Sequence, residues 1–320
     1  MSIRVGVVLD PIDQIKPHKD STYAMMLEAQ RRGWTVSVME QQDLYLIDGT
    51  AFGRGREITI LDGQSPWYSL AAPTQSPLST LDAVLMRKDP PFDMEYVYTT
   101  YLLERAEQQG LLVLNRPQSL RDANEKLFTA WFPQCCAPTQ VARDPELLRA
   151  FLKDQREIVI KPLDGMGGAS IFRVTVDDPN ISVILETLTA HGQRFAMAQR
   201  YIPDITSKGD KRILLVDGEP VPYALARIPA AGESRGNLAA GASGVGVELS
   251  DRDLWICAEV APELRRRGLV FVGLDVIGDY LTEINVTSPT CIRELDALFG
   301  LNIAGSLCEA IERLLKQDGR

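Results

Sequence analysis

A strand, a lysine and a glycine-rich turn follow one another in the segment IVIKPLDGMGGASIF, residues 158–172. Lys161 ends the apolar run, and three glycines come after it: Gly165, Gly167 and Gly168. In a Walker loop the lysine follows the glycines and opens a helix, whereas here the residues after the turn are again β-branched and aromatic. Backbone N–H groups in such a turn can face a phosphate at close range. The segment predicts a phosphate-binding hairpin, although by itself it also fits a plain tight hairpin with a surface lysine.

Oxygen-bearing side chains interrupt a second apolar hairpin, residues 273–285. Glu283 and Asn285 are two positions apart on one strand, so both point to the same face. Together with Asp275 they form a set of hard oxygen ligands without His or Cys, which suits Mg²⁺ bridging substrate phosphates. The alternative is that they are hairpin residues on a solvated face.

The register of this hairpin decides whether Asp275 belongs to the set. A regular two-residue turn at Gly278-Asp279 would pair Asp275 with Thr282 and point Glu283 the other way. A shared metal site therefore predicts an odd-length loop or a β-bulge, which would bring Asp275 opposite Glu283.

Arginines form a third group. Arg212 and Arg227 lie on two predicted strands that flank Asp217-Gly218, a strong hairpin signal. Arg235 lies in a Gly/Ala/Ser-rich segment, and Arg293 comes later. Bidentate guanidinium groups recognise carboxylates and phosphates and stabilise spreading negative charge. Each of them taken singly also fits an ordinary surface arginine.

The composition restricts the classes of function. The chain has 320 residues, 45% hydrophobic and 24% charged, with a net charge of -9. That charge argues against bulk binding of nucleic acid or an anionic membrane, since both need a cationic face. Five cysteines without a CxxC motif are typical of a reduced protein, and no apolar run approaches a membrane span. We expect a cytoplasmic protein that binds neither nucleic acid nor membrane.

Two patterns divide the chain. The first 120 or so residues alternate strand, helix and strand, which predicts a parallel sheet flanked by helices, with residues 48–80 as an excursion from it or as loops. No GxGxxG follows the first strand, so a dinucleotide site is weakly supported. From there on, a helix over residues 119–131 leads into mixed hairpins and helices, and residues 229–246 read as a long mobile loop. These patterns predict an α/β domain followed by two α+β lobes.

Four segments taken together resemble the ATP-grasp superfamily and, within it, the bacterial glutathione synthetases. The resemblance covers essentially the whole chain and is carried by residues 124–128 (NEKLF), 161–168 (KPLDGMGG), 235–241 (RGNLAAG) and 282–290 (TEINVTSPT). The GMGGASIF and RGNLAAG segments are the more particular of these. D-alanine–D-alanine ligases carry an arginine two residues before the metal-binding aspartate, whereas this chain has Gly273 there.

The resemblance implies a fold with three parts. Residues 1–122 would form a Rossmann-like substrate domain, residues 123–202 the ATP-grasp lid lobe, and residues 203–320 the catalytic lobe with its mobile loop 229–246. It also implies a homo-oligomer, with a tetramer as the expected state.

The activity implied is ATP-dependent ligation of γ-glutamylcysteine to glycine through an acyl phosphate, with Mg²⁺, or alternatively Mn²⁺, as the metal. The implied metal ligands are Asp275, Glu283 and Asn285, and the implied catalytic residues are Arg212 and Arg227. The implied nucleotide-binding residues are Lys126, Lys161, Gly165, Gly167, Gly168, Gln199, Tyr201, Ile202 and Asp210. The implied substrate-binding residues are Lys19, Arg87, Arg235, Asn237, Ser288, Thr290 and Arg293.

Two other functions fit the same residues. One is an ATP-grasp carboxylate–amine ligase that uses a different acid or amine, and the other is a nucleotide-binding module without catalysis. For the ligase, we expect the loop 229–246 to be disordered until ATP and the dipeptide are bound, because its composition offers little apolar area to offset the entropy of ordering it. Tryptic cleavage after Arg235 in the free protein, with protection by both ligands, would test that expectation.

Overall fold

A computed structural model describes residues 2–165, 167–230, 236 and 241–317. Its first sheet is mixed, with eight strands among the described residues in the order β3-β4-β2-β1-β7-β8, while β5 and β6 pair with β4. Strand β1 runs parallel to β2 and β7, and β7 runs parallel to β8. The strands are β1 (Arg4–Val8), β2 (Thr35–Met39), β3 (Leu44–Ile47), β4 (Thr50–Ile60), β5 (Tyr68–Leu70), β6 (Thr74–Pro77), β7 (Ala83–Met86) and β8 (Leu112–Leu114).

The parallel part of this sheet follows from its sequence. Strands β1 and β7 are almost continuously apolar and buried, as expected for strands covered on both faces. The covering helices are α1 (Ser21–Arg31), α2 (Met94–Gln108) and α3 (Pro117–Asp122). Asp20 caps α1 and Asp93 caps α2, each accepting a backbone N–H of the first turn. Because β1 lies between β2 and β7, a crevice opens at its carboxyl end, where open α/β sheets bind ligands.

The prediction of loops over residues 48–80 is wrong. This segment contains β4, β5 and β6, which pair antiparallel. The glycines in β4 favoured the prediction of a loop. In the structure, a Cβ on Gly53 would lie 2.6 Å from Met39 Sδ and 2.8 Å from Leu78 Cδ2. Glycine is therefore required by close packing within a strand rather than by a turn.

The second sheet has the order β11-β10-β12-β9 and is antiparallel throughout. Its strands are β9 (Thr139–Ala142), β10 (Glu157–Pro162), β11 (Phe172–Thr175) and β12 (Ala196–Arg200), and its helices are α4 (Pro145–Gln155) and α5 (Ile181–Thr189). Leu148, Leu152 and Leu185 on the helices pack with Ile158 and Ile160 on β10 to form its core. The segment between β10 and β11, residues 163–171, is called the glycine turn below.

The single helix predicted over residues 119–131 is wrong. Helix α3 ends at Asp122, and a separate 3₁₀ helix spans Leu127–Trp131. The side chain of Asn124 accepts the backbone N–H groups of Lys126 and Leu127, and such local bonds compete with a continuous helix. Lys126 therefore precedes a helical turn instead of lying within a helix.

The third sheet is antiparallel with the order β15-β14-β13-β16-β17. Its strands are β13 (Asp210–Val216), β14 (Glu219–Ile228), β15 (Ser243–Glu248), β16 (Phe271–Ile277) and β17 (Tyr280–Asn285). The helices of this part are α6 (Ile205–Lys208), α7 (Asp251–Arg266), α8 (Ile292–Phe299) and α9 (Ile303–Gln317). Helix α7 covers one face of the sheet, and the hairpin predicted around Asp217-Gly218 is confirmed as β13–β14.

A bulge sets the register of β16 and β17, as predicted from the hypothesis of a shared metal site. Asp275 lies opposite Glu283, and the register shifts between Asp275 and Val276. Beyond the shift, Ile277 pairs with Tyr280 across a two-residue turn. The hydroxyl of Thr282 donates to the carbonyl of Asp275, 3.0 Å away, inside the bulge. The predicted alignment of Asp275 with Glu283 is confirmed.

The predicted loop over residues 229–246 is partly wrong. Its last residues, 243–246, belong to β15, which pairs with β14. A Cβ on Gly246 would come within 2.5 Å of the Phe299 ring on α8, so glycine here again reflects close packing in a strand. Residues 231–235 and 237–240, including Arg235 and Asn237, lie outside the described residues.

The three sheets fall one into each of the predicted segments 1–122, 123–202 and 203–320; the boundaries themselves stay predictions. No helix in the described part of the chain is long and apolar enough to cross a membrane.

Candidate active site

A cavity of about 460 Å³ lies between the second and third sheets and extends to the carboxyl end of β7. One wall is formed by β10, the glycine turn and the end of β12, and the opposite wall by β13, β14 and β17. Its polar side chains come from both walls, so a ligand in the cavity would contact both lobes.

Two buried lysines converge on one carboxylate at the centre of the cavity. The ammonium groups of Lys126 and Lys161 each lie 3.7 Å from Glu283 Oε1. Burial lowers the pKa of Lys161, and the neighbouring Glu283 offsets this only in part. Burial opposes the charge on Lys126 too, but Glu283 and Glu125 outweigh it and raise the pKa of that ammonium group. Lys126 Nζ also donates to Glu125 Oε1 at 2.8 Å, so the two lysines face two carboxylates of the chain. Both lysines line the cavity, where their ammonium groups can contact an anionic ligand.

Asp275 is buried between two arginines that line the cavity. Arg212 donates from Nε to Asp275 Oδ1 at 2.5 Å and from Nη2 to Oδ2 at 3.0 Å. Arg227 Nη2 is also 3.0 Å from Asp275 Oδ2. Burial alone would raise the pKa of Asp275, yet the two guanidinium groups hold it well below its usual range. Asp275 therefore stays ionised and keeps both arginines in fixed orientations.

The oxygen atoms of Asp275, Glu283 and Asn285 fit a hard divalent cation in chemistry. Asn285 Nδ2 donates to Asp275 Oδ2 at 3.2 Å and to Gly273 O at 3.4 Å, which leaves its carbonyl oxygen as an available ligand. Among the described residues, no three His, Cys, Asp or Glu side chains cluster closely enough to hold a metal by themselves. A cation here would need the amide of Asn285 and oxygens of a ligand, which is how Mg²⁺ is usually held with phosphates.

Asp210 is a buried carboxylate with one unused oxygen. Its Oδ2 lies 2.5 Å from Arg227 Nη2, whereas Oδ1 has no hydrogen-bond partner among the described residues. Burial and the nearby carboxylates of Asp275 and Glu283 raise the pKa of Asp210 to about 7, against the opposing effect of Arg227. Such an oxygen is available to a hydroxyl group of a ligand.

The end of β12 forms the far side of the cavity. Gln199, Tyr201 and Ile202 all line it. Gln199 Nε2 donates to Thr139 Oγ1 at 3.1 Å, and Arg173 lies 3.9 Å from the centre of the Tyr201 ring. Arg173 and Arg200 line the same end of the cavity and were not predicted from the sequence.

The glycine turn covers the lysines. Gly165, Gly167 and Gly168 line the cavity, and Gly167 and Gly168 have φ of 63° and 80°, where a side chain would be strained. Lys126 Nζ donates to Gly165 O at 2.6 Å. The turn thus lies directly over the cationic centre.

Arg87 is a buried guanidinium without an ion-pair partner among the described residues. Its Nε donates to Thr22 Oγ1 at 3.1 Å and its Nη2 to Pro289 O at 3.0 Å. Burial lowers its pKa, although Asp20 and Asp89 raise it somewhat. Arg87 does not itself line the cavity, but its partner Pro289 does, and such a group is suited to a ligand carboxylate.

The other proposed substrate residues are distributed unevenly. Ser288 and Thr290 line the cavity, and the Ser288 hydroxyl donates to Asp89. Lys19 is exposed and Arg293 lies 5.5 Å from the centre of the Tyr23 ring; neither lines the cavity. Arg235 and Asn237 lie outside the described residues, and every substrate-binding assignment stays a prediction.

Comparison with protein families and relatives gives a consistent result. Residues 3–121 match the family described as prokaryotic glutathione synthetase, N-terminal domain, and residues 125–300 match its ATP-grasp domain. A glutathione synthetase of Vibrio vulnificus is 61% identical over 316 residues, covering 99% of both chains. One from Pseudomonas aeruginosa is 62% identical over 311 residues, covering 97% of this chain and 98% of the relative.

Solved structures agree on the fold. D-cycloserine synthetase DcsG has a TM-score of 0.67 at 18% identity, covering 98% of this chain and 99% of its own. The ATP-grasp ligase PsnB, solved with minimal precursor, Mg and ADP, has a TM-score of 0.62 at 17% identity, covering 98% of each chain. The predicted fold class is confirmed, with the first sheet mixed instead of purely parallel. The chain belongs to the prokaryotic glutathione synthetase family and has the ATP-grasp fold.

Proposed function

We propose that this protein joins γ-glutamylcysteine to glycine with the conversion of ATP to ADP and phosphate, forming glutathione. The observation that carries the proposal is the convergence of two lysines, two arginines, Glu283 and Asn285 in one cavity, with Asp275 paired to both arginines. Its support from relatives is the identity of about 60% to enzymes named glutathione synthetase over nearly the whole chain.

The reaction needs an activated carboxylate, because a carboxylate is a poor electrophile. An oxygen of the cysteinyl carboxylate attacks the γ-phosphorus of ATP, the bond to the β–γ bridging oxygen breaks, and ADP leaves. The glycine nitrogen then attacks the acyl carbon, the carbon–oxygen bond to phosphate breaks, and the amine gives up its proton. Negative charge spreads over the transferring phosphoryl group and then over the tetrahedral oxyanion.

Arg212 and Arg227 are suited to that charge. Asp275 fixes Arg212 through two bonds and Arg227 through one, so the guanidinium groups need no reorganisation when charge develops. Both side chains line the cavity. We assign them to stabilisation of the transferring group and the oxyanion.

Lys126, Lys161 and the glycine turn are assigned to the phosphates. The lysines supply point charges, and the turn supplies backbone N–H groups. The end of β12 would receive the adenine, and the free oxygen of Asp210 a ribose hydroxyl.

Asp275, Glu283 and Asn285 would hold Mg²⁺, with Mn²⁺ as the alternative. The bound cation would neutralise charge on the β- and γ-phosphates. These side chains lie on the same face of the hairpin, because the bulge at Asp275 places it opposite Glu283.

Arg87 is assigned to a carboxylate of the dipeptide. It is buried, holds no carboxylate of the described chain and lies where β7 ends, near Pro289. Ser288 and Thr290 would add hydroxyl contacts beside it. The tetrameric state and the cytoplasmic location implied by the resemblance stay predictions.

Oxygen labelling tests the reaction directly. γ-Glutamylcysteine carrying ¹⁸O in its cysteinyl carboxylate, incubated with ATP, glycine and Mg²⁺, should transfer one ¹⁸O to phosphate for each glutathione formed. A panel of other acids and amines should give far slower phosphate release. Equal turnover with another acid would point to a different carboxylate–amine ligase, and nucleotide binding without any acid-dependent ADP release would point to a non-catalytic module.

A further inference from the structure

Asn124 lies between α3 and the following 3₁₀ helix, and its side chain forms hydrogen bonds in two directions. The Oδ1 atom accepts the backbone N–H groups of Lys126 at 3.1 Å and of Leu127 at 2.8 Å. The Nδ2 atom donates to the carbonyl of Leu163 at 2.9 Å. One amide therefore joins the start of a short helix to the first residue of the glycine turn.

Residues 124–126, called the bridge segment below, hold the glycine turn at two points. Asn124 binds the carbonyl of Leu163, and Lys126 Nζ binds the carbonyl of Gly165, 2.6 Å away. Leu163 and Gly165 are the residues at which the chain leaves β10. The position of the turn over the cavity thus depends on the bridge segment as well as on the β10–β11 pairing.

The bridge segment is also fixed to the opposite wall. The backbone N–H of Ile284 on β17 donates to the carbonyl of Glu125 at 2.8 Å. Ile284 lies between Glu283 and Asn285, two of the three proposed metal ligands. A short chain of bonds therefore runs from the glycine turn, through three consecutive residues, to the strand that carries those ligands.

We propose that Asn124 is a positioning residue that sets the height of the glycine turn above the strand bearing Glu283 and Asn285. Its donor is held in place by its own acceptor, because the two backbone N–H groups that bind Oδ1 fix the plane of the amide. The proposal rests on the nucleotide use assigned above and gives Asn124 no contact of its own in the reaction. Without the Nδ2 bond, the distance between the glycine turn and β17 would vary more. The turn would then spend less time in the position that binds phosphates.

Two substitutions separate the two directions of bonding. Asn124→Ser keeps an oxygen that accepts backbone N–H groups at the start of a helix but has no donor that reaches Leu163. Asn124→Ala removes both. We expect Asn124→Ser to raise KM for ATP by roughly tenfold, the size expected from the loss of one well-placed hydrogen bond, with KM for glycine within about twofold of the parent.

Hydrogen exchange gives a readout that does not need catalysis. In the ligand-free protein, the amides of Asp164, Gly165, Gly167 and Gly168 should exchange faster in Asn124→Ser, while those of β17 stay unchanged. The melting temperature of Asn124→Ser should stay near that of the parent, and that of Asn124→Ala should fall. If the parent protein lacked ligation activity altogether, the proposed function would fail, but this exchange result would still decide the role of Asn124.

Asn302 provides a matched control. Its Oδ1 accepts the backbone N–H of Gly305 at 2.9 Å at the start of α9, away from the cavity. Asn302→Ala should lower the melting temperature without changing KM for ATP. The proposal is overturned if Asn124→Ser leaves both KM for ATP and the exchange of the glycine turn unchanged, or if Asn302→Ala alters KM for ATP to the same extent.

Discussion

Lys211 and Arg212 are neighbours on β13, yet they point to opposite faces of the third sheet and form two different kinds of ion pair. Lys211 Nζ lies 2.5 Å and 2.6 Å from the two carboxylate oxygens of Asp253, a residue in the first turn of α7. Asp253 also accepts the N–H and hydroxyl of Ser250 and is 0% exposed. Both carboxylate oxygens of Asp253 accept hydrogen bonds from groups of the protein itself, so we interpret this ion pair as structural.

Arg212 forms an ion pair at the edge of the cavity. Its partner Asp275 is shared with Arg227 and Asn285, and all of these except Asp275 line the cavity. Arg227 pairs with Asp210 as well, at 2.5 Å, and Asp210 Oδ1 has no hydrogen-bond partner among the described residues. The comparison teaches that burial of an ion pair alone does not mark a functional site. Charged side chains that line a cavity, one of them with an unused oxygen, are the better indicator.

The largest expected effect comes from Arg212→Gln. We expect kcat to fall roughly 10³-fold, because the variant loses a preorganised cation at the transferring phosphoryl group. Stability should change less than in the Lys211 variant below, since Asp275 keeps Arg227 at 3.0 Å. Arg212→Lys serves as the control that restores charge without the bidentate geometry, and it should recover only part of kcat. Unchanged kcat in Arg212→Gln would place Arg212 among structural residues.

Lys211→Gln should show the opposite pattern. Removal of the lysine leaves Asp253 buried with its charge partly unpaired, so we expect the free energy of unfolding to fall by about 3 kcal/mol. The kcat of the folded variant should match that of the parent. Lys208→Gln is the matched control: its exposed pair with Asp204 should contribute far less to stability than the buried pair of Lys211. Chemical denaturation and steady-state kinetics measure the two quantities separately.

Lys161→Gln tests the other wall of the cavity. We expect kcat/KM for ATP to fall by roughly 10²-fold, because a buried charge facing the phosphates is lost. Stability should not decrease, since burial already disfavours the charged lysine and lowers its pKa. Lys153, exposed on α4 of the same lobe, provides the control for this substitution. A melting temperature that drops with little loss of activity would contradict the assignment.

Asp210→Asn should change the pH dependence of stability. Because burial and neighbouring carboxylates raise the pKa of Asp210 to about 7, the folded protein binds a proton that the unfolded chain has already lost above its pKa of about 4. The parent is therefore destabilised by this group as pH rises from about 4 to 7, and the variant is not. The unfolding free energy of the variant minus that of the parent should increase over this window, by on the order of 1 kcal/mol or more. A difference that is flat between pH 4 and 8 would show that Arg227 keeps Asp210 ionised throughout.

Several elements were predictable because their signals are local. Asp217-Gly218 between alternating strands gives the β13–β14 hairpin, and the glycine segment gives the turn between β10 and β11. The requirement that Asp275 and Glu283 share a face predicted the bulge before the register was known. By contrast, the loop predictions over β4 and the start of β15 are wrong. The glycines of these strands allow close packing against Met39 and Phe299, and contacts with residues distant in sequence leave no local signal.

The sequence by itself determined the residue types of the site: a lysine before glycines, a hard-oxygen set on one hairpin face, and arginines on paired strands. These follow from strand periodicity and side-chain chemistry, which act over a few residues. Only the tertiary structure decided which charges meet. Asp275 forms ion pairs with both Arg212 and Arg227, and Glu283 lies near both Lys126 and Lys161. One carboxylate oxygen of Asp210 has no hydrogen-bond partner among the described residues. Charge pairing and burial depend on distances between separate strands, and in the low-dielectric interior those distances set each group's pKa and its availability to a ligand.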